Sequence, residues 1–245
     1  MVDKIRAVIF DIGGVVVKSP FIAISAYERK HSLPANYINV ALSKLGSAGA
    51  FQKYERGETT YDEFVAAWTQ ELNDVSSNNA AYRKYIERRS LDRHMILPSQ
   101  THIDGHELFT KMMEVAREPN DNVVEFVRGL RRSGYKTAAL TNNFQNDSTS
   151  GETRDWLLDP LFDEFVESSV VGLRKPDPKF YLHACNKLGV RPSEAVFLDD
   201  IPMNLRAAKN LGMAVVQVRI GQEDVAIGEV RAILAARGAL SSARL

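Results

Sequence analysis

Hydrophobic positions divide this chain into short apolar runs and longer runs with helical spacing. The first run, Ile5–Phe10, is apolar at nearly every position, is rich in β-branched residues and ends on Asp11. A run of this kind is typical of a strand that is buried on both faces of a parallel sheet. Similar runs follow at residues 136–140, 195–198 and 214–218, and residues 162–166 have the pattern of an edge strand. The pattern therefore predicts an α/β fold with a parallel sheet.

The region between the first two strands, from Lys18 to Glu118, contains no good strand candidate. Thr60, followed three residues later by Glu63, is typical of a capping box at the start of a helix. Helical spacing of apolar residues is found at about residues 21–30, 35–45, 50–56, 61–72 and 80–89. A helical region of this length directly after one buried strand indicates an insertion and not the next turn of an α/β repeat.

Alternation of strands and helices resumes after this region. Asn120 is a plausible N-cap for a helix that ends before Gly134, and Pro178 suits the first turn of a helix that runs to about residue 188. Further helices are predicted up to Leu158, up to Leu211 and over residues 225–236. The polar stretch from Phe144 to Glu152 has the composition of a mobile loop.

Composition and charge exclude several classes of function. Lys+Arg and Asp+Glu both number 31, so the net charge of zero gives no electrostatic reason to expect nucleic acid or a membrane surface as a partner. The single cysteine, Cys185, excludes an internal disulfide. No apolar run approaches the roughly 20 residues needed to span a bilayer, and the early first strand leaves no room for a targeting sequence. We therefore expect a cytoplasmic protein.

Polar residues follow the buried strands at the points where these strands end: Asp11, then Thr141 and Asn142, then Asp199 and Asp200. The carboxyl ends of parallel strands meet at one edge of a sheet, which is where ligands bind. Three carboxylates at one edge repel each other unless a cation joins them, and Mg²⁺ prefers oxygen ligands. Taken one at a time, each cluster also fits an ordinary turn or a helix N-cap.

Four segments, in order, resemble the four motifs of the haloacid dehalogenase-like (HAD) hydrolases. They read Phe-Asp-Ile-Gly-Gly-Val, Leu-Thr-Asn-Asn, Arg-Lys-Pro-Asp-Pro and Phe-Leu-Asp-Asp-Ile-Pro-Met-Asn. The last two most resemble the phosphatase domain of soluble epoxide hydrolases. The resemblance implies a Rossmann-like parallel sheet core, residues 1–17 and 119–245, with an inserted all-helical cap domain, residues 18–118.

The resemblance also implies a role for each motif residue in a Mg²⁺-dependent phosphatase. Asp11 would be the nucleophile that forms an aspartyl-phosphate. The catalytic Lys175 would neutralise charge on the nucleophile and bind phosphate together with Thr141 and Asn142. Asp11, Asp200 and the backbone carbonyl of Gly13 would hold Mg²⁺, and Asp199 and Asn204 would support that site.

Residue 13 departs from the family pattern. Phosphatases of the family usually carry an aspartate there, which protonates the leaving group and then activates water. Gly13 keeps the carbonyl oxygen and loses this acid, whose contribution is typically about 10²–10⁴-fold. We therefore expect a phosphatase of small phosphorylated metabolites that is weak, or selective for good leaving groups such as anomeric, acyl or aryl phosphates.

Two other functions stay open. The first is a non-catalytic module of the same fold that binds metal, phosphate or a protein partner, which the missing acid favours. The second is a 2-haloacid dehalogenase, because that chemistry also lacks the second aspartate, although it uses no metal and gives the Asp199-Asp200 pair no role. The oligomeric state is open as well, with a homodimer as one alternative.

Overall fold

One parallel sheet organises the computed structural model, which describes residues 3–144 and 161–237. Its five strands lie in the order β3-β2-β1-β4-β5. They are β1 (Ala7–Phe10), β2 (Lys136–Thr141), β3 (Glu164–Glu167), β4 (Ala195–Asp199) and β5 (Ala214–Gln217). The predicted α/β fold with a parallel sheet is confirmed, and β3 lies at an edge as its sequence pattern indicated.

Helices cover both faces of this sheet. Alternate residues of a strand point to opposite faces, so Val8 and Phe10 pack in one hydrophobic cluster while Ala7 and Ile9 pack in another. The first cluster includes residues of the helices Asp121–Arg132 and Glu223–Ala236, and the second includes residues of Pro178–Leu188 and Pro202–Asn210. Each large apolar side chain buried in this way contributes about 1.5–3 kcal/mol. This burial explains why the central strands carry apolar residues on both faces.

The chain divides into two compact units, Met1–Ser19 with Ala116–Leu245, and Pro20–Val115. The domain boundaries predicted from the sequence were 17/18 and 118/119. All of Pro20–Val115 is described, and this unit contains helices and no strand. Its helices are α1 (Phe21–Lys30), α2 (Tyr37–Ser43), α3 (Ala50–Glu55), α4 (Tyr61–Asn73), α5 (Val75–Arg89) and α6 (Gly105–Val115). That this unit acts as a cap stays a prediction.

The sheet unit contains the remaining described helices. They are α7 (Asp121–Arg132), α8 (Ser168–Val171), α9 (Pro178–Leu188), α10 (Pro202–Asn210) and α11 (Glu223–Ala236). The predicted loop is described only at Phe144, and the predicted helix ending near Leu158 lies outside the described residues. No helix in the described ranges has the length and hydropathy needed to cross a bilayer.

Helix starts show where the sequence pattern was sufficient. The capping box of α4 is confirmed, because the Thr60 hydroxyl accepts from the Glu63 N–H and Glu63 accepts from the Thr60 N–H. The prediction that the next helix begins near residue 80 is wrong, since α5 begins at Val75. Asp74 caps it through the Ser77 N–H, and the polar first turn of α5 carries no apolar periodicity that could reveal it.

Candidate active site

Pairing of β1 with β4 brings the first and last predicted acidic motifs together. Phe10 lies opposite Leu198 in the parallel register, and the Asp11 N–H donates to the Leu198 carbonyl oxygen over 2.8 Å. One carboxylate oxygen each from Asp11, Asp199 and Asp200 lies within 4.8 Å of the others. Adjacent parallel strands end at the same edge of the sheet, so this cluster follows from the strand order.

A buried lysine joins two of these carboxylates. Lys175 is 1% exposed, and its Nζ lies 2.7 Å from Asp11 Oδ1 and 2.8 Å from Asp199 Oδ2. It also lies 5.5 Å from the centroid of the Phe197 ring. Burial pulls the pKa of Lys175 down, but Asp11 and Asp199 together hold this pKa above its ordinary value. Lys175 therefore carries a positive charge between the two carboxylates.

Asp199 is fully buried, and donors already surround its carboxylate. The Ile201 N–H donates to Oδ1 over 2.7 Å, and Asn204 Nδ2 lies 3.1 Å and 3.0 Å from the two oxygens. Asn204 is held in turn, because the Tyr181 hydroxyl donates to its backbone carbonyl oxygen over 3.0 Å. Asp199 therefore anchors Lys175 and the start of α10, and Asp200 is the more accessible acid of the pair.

The carboxyl groups of Asp11 and Asp200 resist ionisation. Burial, reinforced by the charges of Asp199 and Asp200, raises the pKa of Asp11 well above its ordinary value, although Lys175 opposes the shift. Burial and the neighbouring Asp199 raise the pKa of Asp200 to about 7. One lysine does not balance three carboxylates, and a divalent cation would supply the missing charge. The carboxylate oxygens are metal ligands of the kind that Mg²⁺ prefers, so these residues fit this ion.

The loop after β1 passes directly beside Asp200. Gly14 has a left-handed backbone (φ 80°), and a Cβ at this position would lie 2.3 Å from Asp200 Oδ2. Ser19, at the end of this loop, donates its hydroxyl to the same oxygen over 3.4 Å. From the sequence, only Gly13 of the glycine pair was assigned to the site, through its carbonyl oxygen, and neither Gly14 nor Ser19 was identified as a site residue. The glycine pair was the one available signal.

Thr141 is the last residue of β2 and Asn142 follows it, and β2 pairs with β1 on the side away from β4. Thr141 is buried, and its hydroxyl lies 3.4 Å from the Asn142 carbonyl oxygen. The Asn142 side chain contacts the Lys175 backbone, with Oδ1 accepting from the Lys175 N–H over 2.8 Å and Nδ2 donating to the Lys175 carbonyl oxygen over 3.1 Å. The sequence did not predict this contact.

The chain belongs to the haloacid dehalogenase-like hydrolases. The family model for these hydrolases matches residues 5–212, which include all four motifs that carried the resemblance. The acidic cluster, the buried lysine and the Thr-Asn pair therefore lie within the region that the family model matches.

Curated relatives include much longer proteins. The chain is 31% identical over 229 residues to mouse acyl-CoA dehydrogenase family member 10, covering 94% of this chain and 19% of the relative. It is 31% identical over 234 residues to bifunctional epoxide hydrolase 2 of Sus scrofa, covering 94% and 39%. The second match confirms the resemblance to epoxide hydrolases. The chain thus spans well under half the length of both relatives.

Other relatives differ in their chemistry. A glyceraldehyde 3-phosphate phosphatase of Methanopyrus kandleri is 32% identical over 106 residues, 43% of this chain and 45% of that protein. The (S)-2-haloacid dehalogenase 4A of Burkholderia cepacia is 24% identical over 220 residues, covering 89% and 84%. The relatives of this chain therefore include both a phosphatase and a dehalogenase.

Solved structures support the fold. A HAD-like family hydrolase from Porphyromonas gingivalis superimposes with a TM-score of 0.58 at 20% identity, over 93% of this chain and 98% of that one. A HAD family enzyme of Bacteroides thetaiotaomicron, solved with magnesium and inorganic phosphate, gives a TM-score of 0.52 at 19% identity, over 89% and 96%.

Proposed function

We propose that the protein is a Mg²⁺-dependent phosphatase that hydrolyses small phosphoric monoesters through an aspartyl-phosphate on Asp11. The observation that carries this proposal is the convergence of three carboxylates, two of which contact one buried lysine. Such a cluster carries more negative than positive charge, and a divalent cation would supply the missing charge and attract an anionic phosphate ester to the site. The proposal also makes Pro20–Val115 the cap that selects the substrate.

Asp11 is the nucleophile of the proposed reaction. In the described part of the chain, the Ile12 N–H and Lys175 Nζ both contact Oδ1, each over 2.7 Å, which leaves Oδ2 for attack on phosphorus. Attack forms the Oδ2–P bond and breaks the bond from phosphorus to the ester oxygen, which leaves with the electron pair. Water then attacks phosphorus, the P–Oδ2 bond breaks, and the Asp11 carboxylate is restored with release of phosphate.

Mg²⁺ would be held by Asp11, Asp200 and the carbonyl oxygen of Gly13. When bound, it supplies positive charge to the phosphoryl group and to the carboxylates around it. Asp199 and Asn204 support this site from behind by fixing Lys175 and the start of α10. The Bacteroides enzyme with magnesium and phosphate is an example of both ligands on this fold.

Lys175 and Thr141 would bind the transferring phosphoryl oxygens. The charged Nζ of Lys175 touches the nucleophile, so it also lies next to any phosphoryl group that Asp11 can reach. Thr141 lies at the end of the neighbouring strand and brings a hydroxyl donor. Preorganised donors of this kind stabilise charge that develops in the transition state.

Gly13 determines the expected substrate class. No side chain at this position can protonate the departing oxygen, so the leaving group must depart as an anion or take its proton from water. Because the positioned acid is typically worth about 10²–10⁴-fold, we propose a preference for anomeric, acyl or aryl phosphates over simple alkyl phosphates.

An aryl phosphate assay tests this proposal. p-Nitrophenyl phosphate should be hydrolysed in the presence of Mg²⁺, and either EDTA or Asp11→Asn should abolish its turnover. Activity that survives either change would exclude the proposed mechanism.

A non-catalytic binding module is the second candidate, and Gly13 is the observation that favours it. In that case the Mg²⁺ and phosphate pocket would bind its ligand without turnover. A screen of aryl, acyl and anomeric phosphates separates the two, because turnover well above background removes this candidate.

The similarity to (S)-2-haloacid dehalogenase 4A supports a third candidate. Asp11 would then attack carbon and release halide. Halide release from a 2-haloacid without Mg²⁺ would establish this function and displace the phosphatase proposal.

A further inference from the structure

Asn142 is bound at both polar atoms of its side chain by one residue, Lys175. Its Oδ1 accepts from the Lys175 N–H over 2.8 Å, and its Nδ2 donates to the Lys175 carbonyl oxygen over 3.1 Å. An amide that pairs with the N–H and the carbonyl of the same residue fixes the position and the direction of that backbone unit. Asn142 therefore holds the backbone of Lys175, from which the lysine side chain extends towards the acidic cluster.

The far end of Lys175 depends on this position. Its Nζ lies 2.7 Å from Asp11 and 2.8 Å from Asp199, while the whole side chain is 1% exposed. A buried ammonium between two carboxylates tolerates little displacement, because a charge that loses its partner in a buried site is strongly destabilising. The loop that carries Lys175 is irregular and lies between α8 and α9.

We infer that Asn142 is a positioning residue that acts through Lys175 and does not act as a phosphate ligand. This inference rests on the proposed function. Asn142 holds the Lys175 backbone, the backbone places Nζ between Asp11 and Asp199, and Nζ then meets the phosphoryl group. If the Asn142 amide instead bound phosphate directly, its contribution to activity would not depend on the Lys175 side chain.

The experiment is a double-mutant cycle of Asn142→Ala and Lys175→Met, read as kcat/KM for p-nitrophenyl phosphate with Mg²⁺. Asn142→Ala alone is expected to cost about 10²-fold, the size of effect that misplacement of a catalytic group by about 1 Å produces. In the Lys175→Met background, the same change should cost less than about twofold, because the lysine through which Asn142 acts is gone. Equal losses in both backgrounds, or no loss from Asn142→Ala alone, would overturn the inference.

Asn143→Ala is the matched control. Asn143 is the same residue type one position later, and its side chain bonds Glu167 Oε1 and the Phe144 N–H instead of Lys175. It should not couple to Lys175→Met. Asn142→Asp should rescue activity only in part, because it keeps an acceptor for the Lys175 N–H and loses the donor to the carbonyl oxygen.

A second measurement separates failure of the inference from failure of the proposed function. The urea unfolding midpoints of the native chain, the two single variants and the double variant of the cycle can be measured without any turnover. If the native chain does not hydrolyse the ester, the phosphatase proposal fails. The positioning role is then tested by the midpoints alone: non-additive shifts support it and additive shifts overturn it.

Discussion

Gly13 brings a backbone carbonyl oxygen to the candidate site but has no side chain that could act as an acid. Of the glycine pair in this described loop, Gly14 is the residue with left-handed backbone, and Gly13 instead forms a bridge with Val17. The backbone conformation therefore favours glycine at Gly14, whereas glycine at Gly13 matters because it lacks an acidic side chain. The two residues can be tested separately.

Gly13→Asp is expected to raise kcat for alkyl phosphates by about 10²–10⁴-fold, because it places a carboxylic acid where the leaving oxygen departs. The gain should be much smaller for aryl phosphates, whose leaving groups need no proton. Steady-state kinetics on both ester types measure this. Gly13→Asn is the control, since it matches the size of aspartate without the acid, and equal rates for the two variants would contradict the prediction.

Gly14→Ala is expected to weaken Mg²⁺ binding by at least about tenfold, because the new methyl group displaces the Asp200 carboxylate. Isothermal titration with Mg²⁺ measures the change. Gly134→Ala is the matched control: its backbone is equally left-handed (φ 83°), and nothing lies within 4 Å of the added Cβ. Both variants should lose about 1–2 kcal/mol of stability from backbone strain. If both also bind Mg²⁺ like the native chain, Gly14 does not shape the site.

At the scale of elements, α9 and α10 meet behind the acidic cluster. The N-cap of α9 is Asp177, which accepts from the Lys179 N–H, and Pro178 follows in the first turn as its sequence predicted. The Tyr181 hydroxyl in α9 then bonds the Asn204 carbonyl oxygen in α10. The start of α9 was predicted from local residues, but no local pattern predicts this contact between the two helices.

Tyr181→Phe is expected to lower the free energy of unfolding by about 1 kcal/mol, because it removes one buried hydrogen bond. It should also lower kcat/KM several-fold, since Asn204 supports Asp199. Urea denaturation and p-nitrophenyl phosphate kinetics measure the two effects. Tyr82→Phe is the control, because Tyr82 donates a similar hydrogen bond to the Ala35 carbonyl oxygen within the helical unit. It should lose stability and keep activity, and an equal loss of activity in both variants would contradict the link to the site.

Over the whole molecule, a net charge of zero conceals a local excess of negative charge at the carboxyl edge of the sheet. Asp200 has a pKa of about 7 in the folded chain, against 3.8 for an exposed aspartate. Between these two values the native state holds a proton that the unfolded state has released. In the absence of metal, the free energy of unfolding therefore decreases as pH rises through this window.

Thermal denaturation in EDTA should give a Tm that falls between about pH 5 and pH 7, with the decline ending above the pKa of Asp200. Added Mg²⁺ should raise Tm, and more at pH 8 than at pH 5, because protons compete with the ion for the same oxygens. Asp200→Asn removes one of the two carboxyl groups whose pKa is raised and should make both dependences smaller. A Tm that does not respond to Mg²⁺ at pH 8 would argue against the metal site.

Local sequence determined the strands, most helix starts and the three polar clusters at the strand ends, because burial and capping act on residues close together in the chain. Ile5–Phe10 is apolar at nearly every position because both faces of β1 are covered. Thr60 and Glu63 form the capping box of α4 within one helical turn. The start of α5 at Val75 escaped detection because its first turn carries no apolar pattern.

The sequence also determined the family and the acidic character of the site, since the motifs and their order can be recognised without knowing which residues are in contact. Only the tertiary structure decided which groups touch. It placed Lys175 between Asp11 and Asp199, turned Asn142 towards the Lys175 backbone and brought Gly14 against Asp200. These contacts depend on strand order and loop direction, which arise from packing of the whole core and which no local pattern encodes.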